Sequence, residues 1–216
     1  MKITGVIFDM DGVIVLTEKA HWLSWQAAAK PRGVHLEYPE FVSCFGRINP
    51  DCIRILFGEV STHESEAIAE EKESAFREIV RHDVPLAPGL TDFLQSLRAR
   101  GIRTGIGSSA PPENVNLVLD AGKLRAMFDA VADGSQVSRG KPAPDVFLLA
   151  AERMGIPPKN CAVIEDAPAG ITAAVAAGML AIGVTTTNPA EKLREAGAQH
   201  LFKDIADLHS SGFLEQ

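Results

Sequence analysis

Residues 3–15 read ITGVIFDMDGVIV, and the reading of this run settles the architecture. Apolar, rich in Val and Ile, and without helical spacing, it predicts a strand buried on both faces, as in a parallel sheet. Two carboxylates, Asp9 and Asp11, nevertheless stand two residues apart toward its downstream end. Burying an unpaired carboxylate costs several kcal/mol or shifts its pKa until it is neutral, so the pair requires a cationic partner, a metal or a substrate site.

Downstream of Pro88 the pattern alternates. Helices are expected in LTDFLQSLRAR (90–100), ENVNLVLDAG (113–122), PDVFLLAAERMG (144–155) and AGITAAVAAG (169–178). Strands are expected in IRTGIG (102–107), FDAVAD (128–133), CAVIE (161–165) and LAIGV (180–184). Such alternation indicates right-handed βαβ units and a parallel sheet covered by helices on both faces, which the first strand joins. Residues 17–85 differ: they carry helical periodicity, long polar stretches and no strand pattern, and read as an inserted unit of about four helices. Pro31 and Gly33 stop a helix begun near Glu18, Asn49 and Pro50 suit N-cap and N1 of another, and Ser61 with Glu64 forms a capping box. The expected fold is therefore α/β: a Rossmann-like parallel core from residues 1–16 and 86–216, with the helical insert at 17–85. Residues 210–216, SSGFLEQ, are the one stretch that reads as a candidate tail.

Of the 216 residues, 46% are hydrophobic, enough for one large domain or a core with a smaller insert. The net charge of -7 comes from interspersed acids and bases, which argues against nucleic-acid or anionic-lipid partners. Cys44, Cys52 and Cys161 lack metal-site spacing and lie in apolar contexts, so buried free thiols are expected rather than a disulfide. No basic leader pattern opens the chain, and no apolar run approaches the roughly 18 residues of a membrane span. A cytoplasmic monomer is the expectation.

Ligands of open α/β sheets bind beyond the carboxyl ends of the strands. Those positions here hold Asp9 and Asp11, then Ser108 and Ser109, then Lys141, then Glu165 and Asp166. Carboxylates converging with one lysine make a hard-oxygen site suited to Mg²⁺, which binds a few carboxylates together with substrate phosphate. Phosphoryl transfer uses such parts. Each has a plainer reading: Asp11-Gly12 is a good turn dipeptide, Lys141 precedes a proline-initiated helix, and Glu165 and Asp166 suit a helix N-terminus. The stretch GIGSSA (105–110) also fits G-x-G-x-x-A, a dinucleotide-binding fingerprint, but it does not open the first βαβ unit and leaves Asp9, Lys141 and Asp166 unexplained.

FDMDG at 8–12, the strand-end Ser108, Lys141 in GKPAPDVF and VIEDAPAG at 163–170 together resemble the four motifs of the haloacid dehalogenase (HAD) superfamily. The insert resembles the small C1-type helical cap of its β-phosphoglucomutase-like branch. The resemblance covers essentially the whole chain. It implies Asp9 as nucleophile and Mg²⁺ ligand, forming an aspartyl-phosphate, and Asp11 as general acid with its backbone carbonyl on the metal. It implies that Ser108 and nearby backbone N–H groups hold phosphate oxygens, and that Lys141 neutralises Asp9 and the phosphoryl group. Asp166 is implied as a metal ligand, and Glu165 as acting on the metal directly or through water. Ser109 falls beside the phosphate in the same motif.

The cap would select the ester. Its candidate substrate-binding residues are His21, resembling a hinge histidine of the branch, Arg47 in a loop after Gly46, and Lys72 on the long helix. For each, a structural or solvated role is the competing reading, and Trp22 and Trp25 read as cap core. The chain departs from the branch at Leu16, where many members carry an acid or amide. It departs again at Ser109-Ala110-Pro111-Pro112, where the mutase has a serine and lysine that grip a second phosphate. That loss favours hydrolysis. The expected activity is Mg²⁺-dependent hydrolysis of a small phosphate monoester, a sugar or polyol phosphate. The alternative is a hexose-phosphate mutase. A receiver-type signalling domain would lack the insert, a dehalogenase would not need the acidic pair, and a non-catalytic binding module would not need every catalytic part.

Overall fold

A computed structural model describes residues 2–215. Its centre is a parallel sheet of six strands: β1 (Gly5–Phe8), β2 (Arg103–Gly107), β3 (Ala130–Ala132), β4 (Cys161–Glu165), β5 (Leu180–Val184) and β6 (His200–Phe202). Their spatial order is β3-β2-β1-β4-β5-β6. The chain winds outward one way from β1 and then the other way from β4, so the order reverses between these two neighbours. That reversal opens a crevice over their carboxyl ends.

Side-chain alternation along the strands divides the core into two layers. Val6 and Phe8 face a layer built with α5 (Leu90–Ala99), α6 (Pro112–Ala121) and α10 (Ile205–Ser210). Ile7 and Val163 face the opposite layer, with α7 (Asp145–Met154), α8 (Pro168–Ala176) and α9 (Ala190–Glu195). The glycines of the GIGSSA stretch belong to this packing. A Cβ on Gly107 would stand 2.6 Å from the Phe147 ring, and one on Gly105 would stand 3.0 Å from Met154 Sδ. They admit α7 against β2, which accounts for the fingerprint without a nucleotide.

Four helices intervene between β1 and α5: α1 (Glu18–Ala29), α2 (Tyr38–Cys44), α3 (Asn49–Phe57) and α4 (Thr62–Val80). They close around their own apolar cluster, with Trp25, Phe41, Ile53 and Ile68 all buried. Pro31 lies in a short 3₁₀ turn after α1, and Gly33 follows it with φ 65°. Ser61 caps α4 by accepting from the Glu64 N–H, whereas the Glu64 carboxylate turns to Arg32 Nε at 2.6 Å. The two connections to the sheet run side by side, joined by Leu16 N–H to the Pro85 carbonyl and Ala87 N–H to the Ile14 carbonyl.

Several expectations need correction. β1 ends at Phe8, and the rest of the apolar run, though buried, folds back as a turn in which Ile14 and Val15 N–H both donate to the Met10 carbonyl. Asn49 is the first residue of α3 rather than its cap, because Ile48 holds the extended cap position and Asn49 Nδ2 is drawn to Glu73. α9, β6 and α10 were not anticipated: each is too short to display a period, and β6 is an edge strand whose His200 is exposed. The terminal residues dock as well. The Phe213 ring lies 4.2 Å from that of His200, and Leu214 is buried, while Gln216 lies outside the described residues.

Candidate active site

Backbone pairing alone brings the motif residues together. Phe8 registers with Ile164, so Asp9, whose N–H donates to the Ile164 carbonyl, emerges beside Glu165 and Asp166 at the end of β4. The Asp9, Glu165 and Asp166 carboxylates each offer an oxygen within 4.8 Å of the others, and all three are buried. Lys141, fully buried, reaches this cluster from the loop after β3: its Nζ donates to Asp9 Oδ1 at 2.6 Å and to Glu165 Oε1 at 2.8 Å. It also stands 4.6 Å from the centre of the Phe147 ring, so the ammonium meets a π face as well as two anions.

The glycines at this rim are required by close approach. A Cβ on Gly12, which has φ 84°, would fall 1.9 Å from Asp166 Oδ2, and one on Gly170 would fall 1.7 Å from Glu165 Oε1. Glu165 is thereby folded back against α8, where its Oε2 accepts from the N–H groups of Asp166 and Ala167, both at 2.7 Å. With Oε1 on Lys141, both oxygens are engaged and the carboxylate acts as a fixed brace. Asp166 is the opposite case: it is fully buried, and neither carboxylate oxygen has a hydrogen-bond partner among the described residues.

The charge balance follows from burial. Three carboxylates share one lysine. Burial, with Glu165 and Asp11 nearby, raises Asp9 to about 7 even though Lys141 opposes the shift. Burial raises Asp166 well above the ordinary range, and Glu165 and Asp9 push the same way; Thr187, which is near without a hydrogen bond of good geometry, and Lys141 oppose them. Lys141 moves upward: its own burial works against the charge, and Asp9 and Glu165 outweigh it. A buried acidic group short of positive charge, with one carboxylate left without donors, fits a hard divalent cation.

Asp11 is held apart from this group. Its Oδ1 accepts the Thr17 hydroxyl at 2.5 Å and lies 2.9 Å from His21 Nε2. Burial tends to raise its pKa, but His21 and Thr17 outweigh burial and hold the carboxyl below its ordinary value. The imidazole is fixed by stacking on Phe76 at 4.1 Å and by an edge contact with Phe45. Ser108 is buried at the end of β2, and its Oγ accepts the Ala110 N–H at 3.1 Å.

Above these residues, between the sheet and α1–α4, lies a narrow cleft with a free volume of about 40 Å³. Asp9, Asp11 and Ser108 lie on its sheet side; His21, Arg47 and Lys72 line it from the helices. Lys141, Glu165 and Asp166 sit below it. Lys72 is not solvated: only 3% exposed, it donates to Glu73 Oε1 at 2.7 Å and stands over the Trp25 and Phe76 rings. Arg47 Nε is buried without a hydrogen-bond partner among the described residues. The Ser109 hydroxyl donates to the Gly46 carbonyl at 2.9 Å, joining the sheet-side rim to the loop that carries Arg47. Sequence reasoning missed Thr17, Glu73, Asn49 and Asn114. Only Thr17, a hydroxyl six residues beyond Asp11 at the entry to α1, left a signal that could have been followed.

A family model described as haloacid dehalogenase-like hydrolase matches residues 3–178. Fructose-1-phosphate phosphatase YqaB of Escherichia coli (strain K12) is 36% identical over 187 residues, covering 85% of this chain and 97% of that protein. Beta-phosphoglucomutase of Bacillus subtilis (strain 168) is 31% identical over 212 residues, covering 94% and 91%. Among solved structures, a hydrolase from Pseudomonas syringae superimposes with a TM-score of 0.90 at 26% identity, covering 96% of this chain and 97% of that one. The family match runs from ahead of β1 to beyond α8 and so takes in every strand end that supplies the cleft. The chain belongs to the haloacid dehalogenase-like hydrolases.

Proposed function

We propose that this hydrolase of phosphoric monoesters acts on a small sugar or polyol phosphate, with Mg²⁺ and through an aspartyl-phosphate on Asp9. The observation that carries the reading is the buried Asp9–Lys141–Glu165 network beside the partnerless Asp166 carboxylate. Asp9 and Asp166, with Asp11 through its backbone and Glu165 through water, would hold the cation, which would supply charge neutralisation for the phosphoryl oxygens.

Lys141 fixes Asp9 through Oδ1 and favours its ionised form, leaving the other oxygen to attack phosphorus. The ester bond breaks as the Asp9–phosphorus bond forms; Asp11, ionised in the empty site, takes up the proton that a monoester monoanion brings and passes it to the leaving oxygen. In the second half Asp11 takes a proton from the water that attacks phosphorus, and Asp9 is released. Thr17 and His21 aim Asp11, and the ring between Phe76 and Phe45 cannot swing away. The Ser108 hydroxyl donates to a phosphate oxygen. Residues 17–85 act as a cap whose helices exclude bulk water during attack, with Arg47, Lys72, His21 and Ser109 as the candidate contacts to substrate.

The mixed aromatic and polar wall of the cleft suits a hydroxyl-bearing leaving group. YqaB's printed substrate, fructose 1-phosphate, is of that class. Among the described residues no helix is long and apolar enough to cross a membrane. Three buried free cysteines suit a reducing compartment, and we place the protein in the cytoplasm. The mutase alternative needs a grip on a second phosphate beside Ser109, where the Ala110 N–H is already engaged and Pro111 has none. The test is phosphate release from a panel of sugar, polyol and glycolytic phosphates with Mg²⁺, wild type beside Asp9→Asn. Release abolished by EDTA and by the substitution supports the reading; isomerisation without release overturns it.

A further inference from the structure

The cap side of the cleft carries an anion that the mechanism does not use. Glu73 is 5% exposed and faces the cleft beside Lys72. Its Oε1 accepts from Lys72 Nζ at 2.7 Å and from Asn49 Nδ2 at 2.8 Å, and its Oε2 accepts from Asn114 Nδ2 at 2.5 Å. Asn114 belongs to α6, on the sheet side, and its own carbonyl accepts from Arg77 Nη1 at 3.4 Å, which fixes the amide's orientation. The carboxylate is therefore held in place by donors from both sides of the cleft, and Oε2, with one donor, can accept another. Burial tends to neutralise it, but Lys72, His21 and the hydrogen bonds prevail and hold its pKa below the ordinary value.

Lys72 and Arg47 are the lysine and arginine that the cap presents to the cleft. Glu73 cancels the charge of the first and leaves its remaining N–H donors free. Arg47 is left as the uncompensated cation. Phe41, Phe45 and Ala110 contribute further wall without charge.

We propose that Glu73 is a specificity-determining residue: by cancelling Lys72 it restricts the site to esters whose far end is neutral and hydroxyl-bearing, and disfavours those with a second phosphate. The inference rests on the phosphatase reading and names its substrate class. A ligand hydroxyl can both accept from Lys72 and donate to the Glu73 carboxylate. A second phosphate dianion can only accept, and meets the carboxylate as a like charge in a water-poor cleft. One unit of charge at the width of a small cleft changes the affinity for such a group about tenfold after screening.

The test compares kcat/KM for a ketohexose 1-phosphate and the corresponding 1,6-bisphosphate in the wild type, in Glu73→Gln and in the double variant Lys72→Met with Glu73→Gln. Glutamine keeps the size and much of the hydrogen bonding, so a steric cause is held constant. The wild type is expected to prefer the monophosphate. Glu73→Gln narrows the ratio about tenfold, chiefly through KM of the bisphosphate, and added salt shrinks the effect. The double variant, again without net charge at the pair, returns the ratio toward that of the wild type. Turnover of both esters with an unchanged ratio in Glu73→Gln, or a ratio that stays shifted in the double variant, overturns the proposal and leaves the phosphatase reading standing. No turnover of a broad monoester panel by the wild type overturns that reading itself. Should Glu73→Gln fail to melt cooperatively, the wild type decides alone, and equal kcat/KM for the two esters overturns the proposal.

Discussion

Replacing Lys141 by methionine keeps an unbranched apolar stem one atom shorter while removing one charge beneath the cleft. Two ion pairs are lost, at 2.6 Å to Asp9 and 2.8 Å to Glu165, together with the contact to Phe147. At an effective dielectric near 20, each pair at these separations is worth about 6 kcal/mol of gross attraction, offset in large part by the desolvation of the lysine. Removing one member of a buried pair typically costs about 3–5 kcal/mol net, because the remaining charges are left uncompensated. Here three carboxylates remain, so the loss depends on pH. Asp9 stands at about 7 in the presence of Lys141, which lowers it, and rises further without it. A carboxyl raised above its unfolded value contributes fully to stability below about pH 4 and loses that contribution as pH climbs through the folded pKa. The deficit of Lys141→Met is therefore smaller near pH 5, where the Asp9 pair no longer counts, than near pH 8, where it reaches about 3–5 kcal/mol and millimolar Mg²⁺ recovers part of it. Urea melts of both proteins at the two pH values, with Mg²⁺ and with EDTA, measure this. A deficit below about 1 kcal/mol at pH 8, or the same deficit at both pH values, refutes the charge balance described for the site.

Gly170→Ala lies within α8, where alanine ordinarily stabilises a helix by about 1 kcal/mol. The new Cβ displaces Glu165 from Lys141 and from the Asp166 and Ala167 N–H groups, so the sign reverses and stability falls by about 2 kcal/mol or more in a urea melt; a gain would contradict the brace assigned to Glu165. For Mg²⁺, a concentration 100-fold above Kd adds about 2.7 kcal/mol, which raises Tm by about 5 °C or more in a chain of this size. Asp166→Asn is expected to lose that shift in differential scanning calorimetry, and a full shift would remove Asp166 from the site. In acid, Glu73 and Asp11 act with the opposite sign to Asp9: their folded pKa values are lowered, so their contribution is present above the ordinary carboxyl range and disappears as pH falls through the folded value. Stability of Glu73→Gln should therefore fall less steeply than that of wild type below about pH 4.5, and parallel curves would show that Glu73 is not held ionised by its neighbours.

The sheet and the motif residues were legible because burying charge at a strand end violates the local pattern of an apolar run. Asp9, Glu165 and Asp166 announced themselves as costs that some cation must offset, and parallel pairing of β1 with β4 brought them together. The turn after Asp9 was not legible: Met10 to Val15 is as apolar as a strand, and only the contact between Gly12 and Asp166 reveals why the chain must bend there. α9, β6 and α10 escaped because three to six residues do not define a period. Lys72 and Glu73 lie in a helix whose composition reads as solvated, EEKESAFRE. Their burial depends on α3 and α6 closing over them through Asn49 and Asn114, contacts 24 and 41 residues distant in sequence.

The central claim is that Asp9 carries the phosphoryl group. The most direct measurement mixes enzyme, Mg²⁺ and a hexose 1-phosphate, quenches in acid within the first turnovers, and maps the modified peptide by mass spectrometry. The account predicts one added phosphoryl group on the peptide spanning β1, placed on Asp9, absent from Asp9→Asn and absent in EDTA. Phosphate release at full rate from Asp9→Asn, or a phosphoryl group trapped on another residue, would contradict it.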